Sequence, residues 1–153
     1  MPPRPSLSCI ICAYNEGRRI GRVLRAVAGH PLLSEVIVVD DGSTDDTGAI
    51  ASAFTDVCIV KLERNGGKTQ ALARGVAQAR CDYVMLIDAD LDGLTAANIS
   101  ALAAPVLEGG VDSTISLRGD SLVVYRAMRL DFVSGERVLP RALFGDPMTS
   151  MAA

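Results

Sequence analysis

The sequence predicts an α/β fold: an open, mainly parallel, Rossmann-like sheet with helices on both faces. Two observations support this prediction. Short apolar runs rich in β-branched residues alternate with longer segments of helical periodicity. Polar or glycine residues open each helical segment, as expected of crossover helices between parallel strands. Because such crossovers are right-handed, the helices cover both faces of the sheet.

Five strands and four crossover helices account for most of this prediction. The strands are expected at 7–13, 36–39, 57–60 and 83–87, with a weaker one at 111–117. The crossover helices are expected at 19–28, 47–54, 69–79 and 96–107. Two further helices are expected at 122–130 and 137–144.

The length of 153 residues indicates one domain with a single core. We expect a flexible N-terminus at 1–6, the α/β domain at 7–118, a helical segment of the same domain at 119–146 and a tail at 147–153. A sheet of about five strands leaves an open edge that needs a partner chain, a covering helix or further sequence. A homo-oligomer is one expected solution.

Composition excludes some classes of function. The formal net charge of −3 argues against a chain whose main role is to grip nucleic acid. No apolar run reaches the ~18 residues that span a bilayer. The 4 cysteines lie mostly in or beside apolar runs, where reduced, buried thiols are expected. These features together predict a cytoplasmic protein.

The acidic residues after the fourth predicted strand form the clearest chemical pattern. Asp88, Asp90 and Asp92 are spaced by two, and an extended backbone would project all three to one side. Close carboxylates disfavour their charged forms unless a cation neutralises them, and hard oxygen ligands suit Mg²⁺ or Mn²⁺. The alternative is a solvated acidic turn before the next helix. The sequence therefore predicts a divalent metal at Asp88, Asp90 and Asp92.

A second acidic segment follows the second predicted strand. Ser43 or Thr44 is expected as the N-cap of the next helix, with the acidic residues at 45–46 complementing its dipole. This explanation does not cover Asp40 and Asp41, which precede the cap. We expect that pair to accept hydrogen bonds from a base or ribose.

A glycine pair and a lysine open the third predicted helix. Lys68 in a first helical turn is unfavourably placed against the helix dipole, unless an anion is bound there. The N–H groups of Gly66 and Gly67 can converge on a phosphate. A tight turn with a solvent-facing lysine is the alternative.

The segment after the first strand, 13–17, is also polar. Glu16 either contacts a ligand or favours the N-terminus of the first helix, and the sequence leaves both open.

Four segments, taken in order and spacing, resemble the family-2 glycosyltransferases with the GT-A fold. They are SCIICAYNE at 8–16, VVDDGSTD at 38–45, NGGK at 65–68 and DADL at 88–91. Each motif alone is weak, but their succession at strand ends is specific. Within that family, the chain is similar to the polyprenyl-phosphate (dolichol-phosphate) mannose and glucose synthases.

The resemblance implies an inverting hexosyltransferase that binds a UDP- or GDP-linked sugar through a metal held by a DXD motif. It implies metal-binding roles for Asp88, Asp90 and Asp92, of which Asp88 and Asp90 are also catalytic. It implies nucleotide-sugar contacts at Ala13, Tyr14, Asn15, Glu16, Asp40, Asp41, Lys68, Asp88 and Ala89.

The acceptor implied by the resemblance is a lipid-linked phosphate, with association at the inner face of the membrane. Segment 119–146 would then lie on the acceptor side, where Asp131 and Glu136 are candidates for the general base by location only. In this mechanism the metal and Lys68 stabilise the departing nucleoside diphosphate. A non-catalytic module that only binds a nucleotide sugar is the alternative function.

Overall fold

The computed structural model describes residues 5–116 and 136–145, which form one six-stranded sheet with four α-helices. The strands are β1 (Leu7–Ala13), β2 (Glu35–Asp40), β3 (Val57–Lys61), β4 (Tyr83–Asp88), β5 (Thr114–Ile115) and β6 (Arg137–Pro140). The helices are α1 (Ile20–Val27), α2 (Thr47–Ser52), α3 (Lys68–Gln78) and α4 (Ala96–Leu107), and a 3-10 turn spans Arg141–Phe144.

The strand order is β3-β2-β1-β4-β6-β5. Strands β1 to β4 pair with one another in parallel, whereas β6 runs antiparallel to both β4 and β5. The predicted mainly parallel α/β sheet is therefore confirmed. The chain builds β2 and β3 on one side of β1 and then crosses to place β4 on the other. A crevice for ligands is expected at this reversal, outside the carboxyl ends of β1 and β4.

Side-chain alternation along β1 builds two cores, one on each face of the sheet. Cys9 and Ile11 pack with residues of α1, α2 and α4 on one face. Ile10 packs on the other face, where α3 contributes Ala71 and Val76. Each fully buried Ile contributes about 1.5–3 kcal/mol relative to exposure. The paired cores hold the carboxyl end of β1 between four helices.

The end of the described chain differs from the prediction. Residues 137–144 were expected to be helical, but Arg137–Pro140 is strand β6 and only Arg141–Phe144 forms a helical turn. The open edge of β4 supplies hydrogen-bond partners that a local helical pattern does not reveal, and Pro140 is unsuited to a helix interior. The weak strand predicted at 111–117 also differs in extent and direction: within the described residues 111–116 the strand is limited to Thr114–Ile115, and it pairs antiparallel with β6.

Most of the other elements predicted after residue 116 fall on residues that the structure does not describe. The helix at 122–130 and most of the segment 119–146 lie outside the described residues. Within 5–116 and 136–145, no helix has both the length and the hydropathy needed to cross a bilayer.

Candidate functional site

A cavity of ≈ 370 Å³ opens at the carboxyl ends of β1, β2 and β4, beside the reversal in strand order. Its lining is Cys12, Ala13, Tyr14, Glu16, Asp41, Asn65, Gly67, Lys68, Ala71, Asp88, Ala89 and Asp90. The cavity therefore brings together residues from all four motifs of the sequence. Among the residues predicted to bind the nucleotide sugar or the metal, Asn15, Asp40 and Asp92 lie outside the lining.

Asn15 joins the loop after β1 to the loop after β2. Its backbone has φ 54°, a left-handed conformation that asparagine tolerates better than most residues. Its N–H donates to the Ser43 hydroxyl at 3.0 Å, and its side-chain oxygen accepts from the Thr44 N–H at 2.9 Å. Asn15 therefore supports the cavity wall without lining it.

Asp45 ties the same two loops together at a second point. Its carboxylate accepts from the Gly17 N–H at 3.0 Å and from the Thr47 N–H at 2.9 Å. The Glu16 N–H donates to the Thr47 hydroxyl at 2.8 Å. Hydrogen bonds from Thr47 hold the pKa of Asp45 below its ordinary value. These bonds fix the backbone of Glu16 at the cavity wall.

The second helix begins at residue 47 as predicted, but its predicted N-cap is wrong. Ser43 or Thr44 was expected as the N-cap, but α2 begins at Thr47, and Asp46 holds the N-cap position without a side-chain cap. Ser43 and Thr44 bond to Asn15 instead. Contacts with a distant loop have replaced the local capping pattern.

Asp40 is buried beneath the second loop, with 1% of its surface exposed. One carboxylate oxygen accepts from the Ser43 N–H at 2.9 Å, and the other lies against Gly48. The ligand contact predicted for Asp40 is not supported by this position. Its carboxylate supports the loop that carries the neighbouring Asp41.

Asp41 lines the cavity and clamps the glycine loop. It is 3% exposed, and its two oxygens accept the N–H groups of Gly66 and Gly67, each at 2.9 Å. These amides were expected to converge on a phosphate, but they converge on this carboxylate. Each carboxylate oxygen keeps a second lone pair, so Asp41 can also accept a hydrogen bond from a ligand.

Gly42 allows the two loops to approach each other. Its φ is +71°, and a Cβ added there would lie 2.6 Å from the carbonyl carbon of Arg64. Any side chain would clash with backbone and strain the turn. The close approach keeps the glycine loop over the carboxyl end of β2.

Lys68 and Asp88 are in contact on one wall of the cavity. The Lys68 Nζ lies 2.6 Å from Asp88 Oδ1 in a hydrogen-bonded ion pair. The charges on this wall also act on the thiol of Cys12. Its pKa is raised to about 11, mainly by burial. The negative charges of Asp41 and Asp88 raise the pKa further, whereas the positive charge of Lys68 lowers it. A cation and at least two carboxylates therefore act on the same small space.

The predicted row of three aspartates does not form. Strand β4 ends at Asp88, and the chain turns at 89–90, so alternate side chains no longer share one side. Asp92 is 74% exposed and forms an ion pair with Arg22, 2.6 Å between Oδ1 and NH1. In the described part of the chain, no group of three or more acidic, Cys or His side chains is placed to hold a metal ion.

Two carboxylates still fit a metal that a ligand helps to hold. Asp88 and Asp90 line the same cavity as Lys68. Mg²⁺ characteristically binds through one or two carboxylates while substrate phosphates and waters complete its octahedron. The donor set here suits Mg²⁺ or Mn²⁺ bound together with a diphosphate.

Glu16 lies both in the cavity lining and just before α1, and its contact with a ligand stays a prediction. Its side chain lines the cavity and forms an ion pair with Arg19, 2.8 Å between Oε2 and Nε. Its carbonyl accepts the N–H groups of Arg19 and Ile20, each at 2.9 Å, and so opens α1. Tyr14 beside it is 45% exposed and forms part of the cavity lining.

Of the two candidates for the general base, Glu136 lies within the described residues. Asp131 lies outside the described residues. Glu136 is buried and directly precedes β6, whose first residue, Arg137, pairs with Leu86. This register puts Glu136 toward the carboxyl end of β4, although its side chain does not line the cavity.

The sequence prediction missed three lining residues: Cys12, Asn65 and Ala71. Cys12 lies near the carboxyl end of β1, on the face of the sheet opposite Cys9. The alternation of side chains along the strand could therefore have placed it near the site. Asn65 precedes the glycine pair. Ala71 lies one turn into α3, and no pattern in the sequence separates it from the other core alanines.

Comparison with known proteins identifies relatives of this chain by sequence. The sequence profile of Glycosyl transferase family 2 matches residues 8–130. The uncharacterized glycosyltransferase YaiP of Escherichia coli is 34% identical over 155 residues, covering 92% of this chain and 38% of that protein. The poly-β-1,6-N-acetyl-D-glucosamine synthase of Staphylococcus epidermidis is 38% identical over 89 residues, covering 55% of this chain and 21% of the relative.

A solved structure extends the likeness to three dimensions. Glucosyl-3-phosphoglycerate synthase of Mycobacterium tuberculosis, in complex with Mn²⁺, UDP and glucosyl-3-phosphoglycerate, is 31% identical with a TM-score of 0.77. The match covers 92% of this chain and 58% of that one. The chain thus spans less than two thirds of the length of these relatives.

Proposed function

The chain belongs to glycosyl transferase family 2, and on that premise we propose that it transfers a hexose from a UDP-linked sugar to an acceptor with inversion at the anomeric carbon. One observation carries the proposal: a single cavity at the strand-order reversal holds Lys68 together with the carboxylates of Asp41, Asp88 and Asp90. A cation beside several carboxylates suits a diphosphate that arrives with a divalent metal.

The nucleoside end of the donor is assigned to the wall formed by the first two loops. Ala13, Tyr14 and Glu16 supply this wall, and the buried carboxylate of Asp41 offers free lone pairs to a base or ribose. A uridine nucleotide is preferred over a guanosine nucleotide because the mycobacterial relative was solved with UDP. Asn15 and Asp40 support this wall from outside the cavity.

The diphosphate end is assigned to the opposite wall. Lys68 places a positive charge beside the leaving phosphate, and Asp88 and Asp90 would hold Mg²⁺ or Mn²⁺ there. When bound, the metal supplies charge stabilisation for the departing nucleoside diphosphate. The residues of this wall bind and orient the donor so that negative charge developing on its leaving oxygen meets preorganised positive charge.

Glu136 is the candidate base within the described residues, because its place toward the carboxyl end of β4 faces the same rim as Asp88. A hydroxyl acceptor needs such a base, whereas a phosphate acceptor scarcely does. A lipid-linked phosphate acceptor at the inner face of the membrane stays a prediction, alongside a phosphorylated small acid such as the one named for the mycobacterial relative.

Two matched variants test the donor site. Asp90→Asn removes a carboxylate that lines the cavity, whereas Asp92→Asn removes one that pairs with Arg22 outside it. Isothermal titration with UDP in the presence of Mn²⁺ should show a loss of more than about tenfold for Asp90→Asn, since even outer-shell partners of metal sites cost that much. Asp92→Asn should bind like the parent protein. Equal affinities in all three proteins would refute the donor site.

The alternative function is distinguished by turnover. A glycosyltransferase should hydrolyse or transfer the sugar of a bound UDP-sugar in the presence of Mn²⁺, and chromatography would detect the released UDP. A module that only binds the donor would show the same affinity without release of UDP.

A further inference from the structure

Lys68 and Asp88 form a hydrogen-bonded ion pair in the cavity. Their contact of 2.6 Å joins a lysine that is 73% exposed to an aspartate that is only 20% exposed. In the proposed donor site, Lys68 binds the phosphate of the ligand and Asp88 binds the metal. The ion pair between them therefore engages both of these side chains at once.

The backbone positions of Lys68 and Asp88 favour this contact. Lys68 is the first residue of α3, where a positive charge opposes the helix dipole. The loop before it is held by the bonds from Gly66 and Gly67 to Asp41, and Asp88 is the last residue of β4. Both backbones are thus anchored on the sheet, and the lysine finds its compensating negative charge in Asp88.

We propose that the Lys68–Asp88 ion pair makes the cavity selective for a metal–diphosphate complex over the free metal ion and over the metal-free nucleotide. This inference rests on the proposed donor site. A free divalent cation must displace Lys68 from Asp88. A metal-free diphosphate must draw Lys68 away and leave its own charge facing Asp88 and Asp90. The complex brings a cation to Asp88 and an anion to Lys68, so both charges exchange partners in one event.

Because the metal ion and the nucleotide must each break the Lys68–Asp88 ion pair, their binding is thermodynamically coupled. Whichever ligand binds first breaks the ion pair, and the second then binds without that cost, so metal and nucleotide strengthen each other's binding reciprocally. Part of this coupling comes from the direct attraction between metal and phosphate. The part that Lys68 supplies disappears when the lysine charge is removed.

Lys68→Gln isolates that part, and Lys68→Arg serves as the matched control that keeps the charge. Mn²⁺ binding to the full chain is followed by the electron paramagnetic resonance signal of free Mn²⁺, first alone and then with saturating UDP. Because largely exposed ion pairs are worth a factor of about two to five, we expect Lys68→Gln to bind Mn²⁺ alone about two- to fivefold more tightly than the parent protein. The strengthening of Mn²⁺ binding by UDP should fall by at least the same factor.

The outcomes separate this inference from the proposed function. If Lys68→Gln leaves the affinity for Mn²⁺ alone unchanged or lowers it, while Mn²⁺ and UDP still bind together, the selectivity role of the ion pair is overturned and the donor site stands. If the parent protein binds no Mn²⁺ with UDP, both fail. Lys68→Arg should retain the parent affinity for Mn²⁺ alone, and thermal unfolding of each variant verifies that it is folded.

Discussion

Gly75 lies where α3 packs directly on the sheet, and its replacement by alanine offers a strict test of that packing. Gly75 is buried in the middle of α3. A Cβ added there would lie 2.6 Å from Ile10 Cγ2 and 3.1 Å from Val39 Cγ2. Ile10 and Val39 belong to β1 and β2, the strands whose carboxyl ends form the cavity. The position of α3, and with it Lys68, depends on this contact.

Two effects of opposite sign set the magnitude for Gly75→Ala. Alanine in a helix interior stabilises by about 0.5–1 kcal/mol relative to glycine. Inserting a methyl group into a well-packed core costs about 1–3 kcal/mol. Ile10 and Val39 are β-branched and therefore stiff at χ1, so the packing cost should exceed the helix gain. We expect a net loss of roughly 1 kcal/mol in the free energy of unfolding, within a range of about 0–2.5 kcal/mol.

Gly21→Ala is the matched control on the other face of the sheet. Its added Cβ would lie 3.5 Å from Ile50 Cγ2, an ordinary van der Waals distance, so only the helix gain remains. We expect this variant to be more stable than the parent protein by about 0.5 kcal/mol. Urea unfolding followed by far-ultraviolet circular dichroism measures both variants. If Gly75→Ala is stabilised as much as Gly21→Ala, α3 does not pack this closely on β1 and the reasoning fails.

Two further predictions concern carboxylates that accept backbone hydrogen bonds. In Asp41→Asn, one glycine amide of the loop keeps only a neutral acceptor and the other faces an NH2 group that cannot accept its hydrogen bond. The free energy of unfolding should fall by about 1.5–3 kcal/mol, and Mn²⁺-dependent UDP binding should weaken. Urea unfolding and calorimetry measure these changes, and an unchanged variant would contradict the clamp. Burial tends to raise the pKa of Glu35, but hydrogen bonds from the Arg80 amide, the Ser8 hydroxyl and the Arg80 side chain together outweigh it and bring the pKa below the ordinary 4.5. The stabilisation from ionised Glu35 is therefore complete above that value and lost as pH falls through the folded-state pKa. Thermal unfolding at decreasing pH should show a shallower acid loss for Glu35→Gln, and parallel curves would refute the assignment.

Much of the site follows from local rules that the sequence exposes. Alternation of apolar residues fixes strands such as β1 and β4, and parallel strands end at a common edge, so the residues that follow them meet there. For this reason Tyr14, Asp41 and Asp88 line one cavity, as the sequence predicts. The same logic explains why the α/β class could be predicted before any contact was known.

The failures have one physical origin, competition for polar groups between residues far apart in the chain. The N–H groups of Gly66 and Gly67 are satisfied by Asp41 rather than left for a phosphate. The carboxylate of Asp92 is drawn to Arg22 on α1 rather than to its neighbours in the sequence. Spacing along the chain cannot indicate which of several acceptors a donor will reach.

By itself, the sequence determined the layered α/β class, the edge of the sheet where the chemistry lies, and the residue types present there, because these depend on side-chain periodicity and strand direction. Only the tertiary structure decided that residues 137–140 form a strand on the open edge of β4, that Asn15 and Asp40 support the cavity from outside, and that Lys68 meets Asp88. Those outcomes depend on distances between segments that are remote in sequence, and such distances exist only once the sheet has assembled.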